Sequence, residues 1–83
     1  MGKIGLAMYL EGSNELEVTR PGESNKRRIK CTNLNSKQLK VHGVQVNGDE
    51  IWVLTGPKNN SRPNRKYIYS FKSLSGGSSK SYS

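Results

Sequence analysis

Reactive side chains are scarce in this chain of 83 residues: one cysteine, one histidine and one aspartate. A nucleophile, a base and an orienting acid would use up Cys31, His42 and Asp49 together, and no motif spacing links them. Metal sites need clustered His, Cys or carboxylates, and no glycine-rich phosphate loop precedes a helical stretch. The only adjacent carboxylates, Asp49 and Glu50, follow a turn signal. These scarcities predict a protein that is not an enzyme, with no cofactor, no metal and no small-molecule substrate.

A single cysteine excludes an internal disulfide. Small secreted domains usually carry several, so the expected setting is cytoplasmic or virion-associated. Cys31 sits in an alternating run after Ile29, where a buried structural thiol is expected. No apolar run is long enough to span a bilayer, and the N-terminus lacks a signal-peptide pattern. Neither membrane partner nor signal-directed secretion is expected. Hydrophobic residues make up only 31%. A domain this small hides roughly 60% of the surface its unfolded chain exposes, so the core is modest.

Acidic residues are scarce in a patterned way. Residues 1–25 carry a small negative excess from Glu11, Glu15, Glu17 and Glu23, and the only other acids are Asp49 and Glu50. Residues 26–48 and 51–83 hold twelve cations and no acid, giving a net charge of +8. Such a field attracts polyanions.

The ordered segments have period two, the signature of half-buried strands. Ile4, Leu6, Met8 and Leu10 alternate and predict one strand with these residues inward. Gly12-Ser13-Asn14 reads as a hairpin turn, followed by a strand with Leu16 and Val18 on one face. Pro21-Gly22 suits a type II turn. A strand over about 26–34 places Ile29 and Cys31 opposite Arg28 and Lys30. In the next strand the apolar phase shifts at Gly43, which predicts a β-bulge. Asn47-Gly48 predicts a type I′ hairpin. Residues 50–55 are apolar on both faces, as in a central strand, and Trp52 is expected in the core. The loop 56–64 is basic and rich in Asn and Pro, and residues 65–72 form a last strand with Arg65, Tyr67, Tyr69 and Phe71 on one face.

Together these predict an all-β domain over residues 1–73, a small barrel or curled antiparallel sheet of five to seven short strands. Residues 74–83 read as a Gly/Ser-rich flexible tail.

Two basic clusters are the candidate nucleic-acid-binding residues. Lys26, Arg27, Arg28 and Lys30 form the first; on alternate strand positions, cations lie about 7 Å apart, near the spacing of successive phosphates. Lys58, Arg62, Arg65 and Lys66 form the second, beside Asn59, Asn60 and Asn64. Lys37 and Lys40 extend either patch. One face of the last strand must be buried, and the aromatic face is the better candidate, so at least two of its three rings are expected in the core. Tyr67, nearest the basic loop, is the ring expected to stack on a base. The functional expectation is a non-catalytic basic module that binds DNA or RNA through phosphates. The alternative is a small structural or assembly protein, such as a phage or viral accessory or capsid-associated subunit, that contacts an acidic protein surface or assembles with itself or other chains.

Overall fold

The computed structural model describes residues 4–31, 34, 38–70 and 80–82. Every regular element among them is a strand: β1 (Leu6–Leu10), β2 (Glu15–Thr19), β3 (Arg27–Lys30), β4 (Leu39–Asn47), β5 (Glu50–Pro57), β6 (Arg65–Ser70) and β7 (Lys80–Tyr82). They form two antiparallel sheets, β1-β2-β3 and β4-β5-β6-β7. The fold is thus all-β, with two curled layers in place of a closed barrel. Among the described residues, no helix is long and apolar enough to cross a membrane.

The inner faces follow from strand pairing, because residues directly opposite each other point to the same side of a sheet. In the first sheet Leu16, Val18 and Ile29 point inward; in the second, Ile51, Val53 and Tyr69 do so. Ile4, Cys31 and Leu34 complete the buried cluster, and Ala7, Tyr9, Val41, Val44, Val46 and Tyr67 pack against it. Burial pushes the Cys31 thiol above its usual range, against the lowering effect of its hydrogen bonds to Tyr69 and to the Leu16 backbone. The thiolate form is therefore disfavoured and the thiol is a packing group.

The strand β1 departs from expectation. Its apolar residues Leu6 and Met8 point outward and are 73% and 52% exposed. The reason is the register. The four-residue turn 11–14 pairs Leu10 with Glu15, so Tyr9 faces Leu16 and Ala7 faces Val18. Since Leu16 and Val18 are fully buried, Ala7 and Tyr9 must share their side, and the even-numbered residues are turned out. Asn14 holds this register: it takes φ +56, accepts a hydrogen bond from the Tyr9 hydroxyl, and donates through its side-chain amide to the Cys31 carbonyl. Ile4, which precedes β1, is buried, with its N–H on the Gly48 carbonyl at 2.9 Å.

The turns mostly follow their chemistry. Arg20–Glu23 closes with Glu23 N–H on the Arg20 carbonyl, 3.1 Å, and Gly22 at φ +79, as a type II turn requires. The bulge falls where the phase shift placed it, between Val41 and Gly43. The β4–β5 hairpin is displaced by one residue from the expected turn. Asn47 pairs with Glu50, so the two turn residues are Gly48 and Asp49, and of the two only Gly48 has positive φ (+63). That is the type II′ pattern. A turn at Asn47-Gly48 would set Asp49 across from Val46 on the buried face. The observed register sets Ile51 there instead, and Val53 across from Val44.

The strand β5 is central, as expected, between β4 and β6. Within the expected tail, the backbone of Lys80–Tyr82 runs antiparallel to β6, with Tyr82 opposite Lys66 and Lys80 opposite Ile68. This pairing occupies an edge of β6 that would otherwise present unpaired amides. Residues 71–79, and with them Phe71, lie outside the described residues.

Candidate nucleic-acid interface

The two basic clusters lie on different sheets and in different electrostatic surroundings. Arg28 and Lys30 project from the outer face of β3, and the register sets Glu17 opposite Arg28 and Glu15 opposite Lys30. Arg28 forms ion pairs with both Glu15 (3.2 Å) and Glu17 (3.5 Å), Lys26 with Glu17 (3.5 Å) and Arg27 with Glu23 (3.6 Å). Surface pairs of this kind contribute only about 0–1 kcal/mol each. Their effect on the local field is larger: three carboxylates stand beside four cations. Sequence reading missed this because Glu15 and Glu17 are distant in the chain and meet β3 only through the sheet.

Three cations of the second cluster differ from those of the first. Among the described residues, no carboxylate pairs with Lys58, Arg62 or Arg65. The loop that carries Lys58 and Arg62 is fastened to the end of the second sheet by backbone hydrogen bonds: Lys58 N–H to Gln38 O (2.8 Å), Asn60 N–H to Pro57 O (3.2 Å) and Asn64 N–H to Thr55 O (2.9 Å). Thr55 itself is buried. His42, the bulge residue, places its Nε2 at 3.1 Å from the Pro57 carbonyl and ties β4 to the same corner. Gln38, Leu39, Pro57, Lys58 and Asn59 line a depression of about 480 Å³ there.

Gly56 permits this fold-back. A Cβ at that position would lie 3.0 Å from Pro63 Cα and 3.1 Å from both Arg62 O and Asn64 N. These are backbone atoms that cannot swing aside. We expect Gly56→Ala to lift the loop and to cost about 1–3 kcal/mol, the range for overpacking, read from the urea midpoint. An unchanged midpoint would mean that the loop does not pack against Gly56.

At the start of β6 the cations diverge. Arg65 lies on the inner-face phase, at the exposed end of the row Arg65, Tyr67, Tyr69, and its Nη1 donates to the Tyr67 hydroxyl at 3.4 Å. Tyr69 is buried and Tyr67 half-buried against the core, so both rings contribute to packing. Lys66 points to the other side of the sheet. It lies opposite Leu54, and its ammonium sits 3.9 Å from the centroid of the Trp52 ring. Trp52 was expected in the core. It stands on the outer face of β5, because Ile51, Val53 and Thr55 take the inner one. Its Nε1–H donates to Glu50 Oε1 at 3.0 Å. Lys40, opposite Gly56, extends the cationic end across β4, and Lys37 lies outside the described residues.

Among the described residues, no three His, Cys, Asp or Glu side chains are grouped to hold a metal ion. Comparison of the chain with family models, with curated proteins and with solved structures yields no match.

Proposed function

We propose that this protein is a non-catalytic module that binds nucleic acid through phosphate contacts, with the β5–β6 loop as the principal site. One observation carries the reading: Lys58, Arg62 and Arg65 gather at one end of the second sheet, and among the described residues no carboxylate pairs with them. Asn59, Asn60 and Asn64 supply donors and acceptors beside them. Lys26, Arg27, Arg28 and Lys30 form a secondary surface, whose use requires phosphates to displace Glu15, Glu17 and Glu23. Fluorescence anisotropy with labelled oligonucleotides at low and physiological salt tests the reading. Binding that persists at physiological salt, with a steep fall of log K against log salt, supports it. Absence of binding, or binding only at low salt, rejects it.

A second reading, an assembly subunit, is favoured by the exposed Leu6 and Met8 on the outer face of β1. Apolar residues presented together on a strand mark a surface that another protein covers. On this reading the wild-type chain sediments as a defined oligomer and a Leu6→Ser, Met8→Ser variant as a monomer. A wild-type chain that stays monomeric at every concentration removes self-assembly from consideration.

A further inference from the structure

The outer face of the second sheet differs from an ordinary solvent-facing surface. Trp52 pairs across the ladder with Ile68 on one side and Gln45 on the other; Leu54 pairs with Lys66 and Gly43. Trp52, Leu54 and Ile68 are half-buried, and none belongs to the core cluster or to the residues packed against it. An antiparallel sheet normally turns polar residues to water on its second face. Here that face carries an indole and two branched aliphatic side chains, with lysines around them.

We propose that this face is a stacking platform for unpaired nucleobases, centred on Trp52, and that the nucleic acid held by the basic loop is single-stranded. The inference rests on the nucleic-acid reading above and adds which form is bound and where its bases lie. The indole is anchored, since its N–H is held by Glu50. Its ring is covered by a group that can leave: the Lys66 ammonium lies at the end of a flexible stem and interacts with the ring as a cation–π partner. A base that takes the place of the ammonium gains a π-stack, and the ammonium gains a phosphate. Gly43 leaves open space beside Leu54, since a Cβ there would meet nothing within 4 Å.

Charge gives the platform a direction. Lys40 and Lys66 stand on this face toward the end where the loop holds Lys58 and Arg62. Asp49 and Glu50 lie at the opposite end, in the β4–β5 hairpin. A strand whose bases cover Trp52 and Leu54 therefore runs its phosphates toward the loop. A duplex cannot use this face, because its bases are already stacked on each other; it meets only the cations.

Trp52 is the only tryptophan, so its emission reports on this face alone. The full chain is titrated with a labelled single-stranded oligodeoxynucleotide and with its duplex, and label anisotropy and tryptophan emission are read in the same samples. The expected result is quenching of Trp52 by the single strand, saturating together with anisotropy, and weaker duplex binding without quenching. Trp52→Ala is expected to lose about tenfold in single-strand affinity and Trp52→Phe less, in line with the contribution of one stacked base, with duplex affinity unchanged. The wild-type quenching needs no variant to fold. Single-strand binding with unchanged Trp52 emission overturns the platform and leaves the nucleic-acid reading standing. Duplex binding as tight as single-strand binding also overturns it. Emission that changes with protein concentration before any oligonucleotide is added would assign the face to a second copy of the chain. Failure of both forms to bind overturns both inferences.

Discussion

An Arg62→Glu, Arg65→Glu double variant loses affinity for every oligonucleotide by about tenfold or more, whatever the sequence, and its binding becomes less sensitive to salt. The physical basis is counterion release. Each phosphate neutralised by the protein adds about 0.7 to the slope of log K against log salt on a single strand and about 0.9 on a duplex. Loss of two contacts flattens the single-strand slope by about 1.4. The effect is uniform across sequences because phosphates carry no base identity. Arg28→Gln is the matched control. Arg28 is already held by Glu15 and Glu17, so it is less available for a direct phosphate contact, and its removal is expected to cost less than that of the two loop arginines. Wild-type binding by the double variant would sink the loop assignment. A loss from Arg28→Gln equal to that of the double variant would move the principal site to β3.

Leu16→Ala lowers the melting temperature by roughly 10 °C or more, whereas Leu6→Ala does almost nothing. Both are leucines on neighbouring strands of one sheet. Leu16 is 0% exposed and Leu6 is 73% exposed. Truncation of a fully buried leucine costs about 2–5 kcal/mol, from lost transfer free energy and from the cavity left behind. A domain of this size loses roughly 4–8 °C of melting temperature per kcal/mol, and total stabilities are commonly about 5–15 kcal/mol. Truncation of an exposed leucine stays within about 0.5 kcal/mol. Thermal melts of the two variants beside the wild type decide the matter. Equal losses would show that β1 is packed in the opposite phase, with Leu6 inward and Tyr9 outward.

The comparison also shows where sequence periodicity is sufficient. Leu16 and Val18, and Ile29 and Cys31, alternate and are buried as the pattern predicts. The Gly43 bulge and the turn at Pro21-Gly22 follow from local chemistry, and so do the central position of β5 and the two tyrosine rings of β6 in and against the core. Each depends on a few consecutive residues. The period of β1 was equally legible, but its phase was not. Alternation says that Leu6, Met8 and Leu10 share a face; it does not say which face is inside. That choice was made by β2, whose other face carries Glu15, Glu17 and Thr19 and so turns outward, through a turn that sets the cross-strand register.

The candidate site divides in the same way. Its residue types and its loop are visible in the chain: acid-free basic segments, clustered Asn and Pro, and a ladder of aromatics. Charge and strand content are sums over local sequence, and the sequence alone determined that the protein is all-β, strongly basic and poor in reactive side chains. Tertiary structure decided which cations keep their field and which aromatic is presented. Carboxylates of β2 reach the cations of β3 only because the strands lie side by side. Trp52 faces outward only because Ile51, Val53 and Thr55 were needed inside, and Lys66 covers its ring from the adjacent strand. Pairwise neighbours across a sheet are set by register, and register is a property of the whole fold.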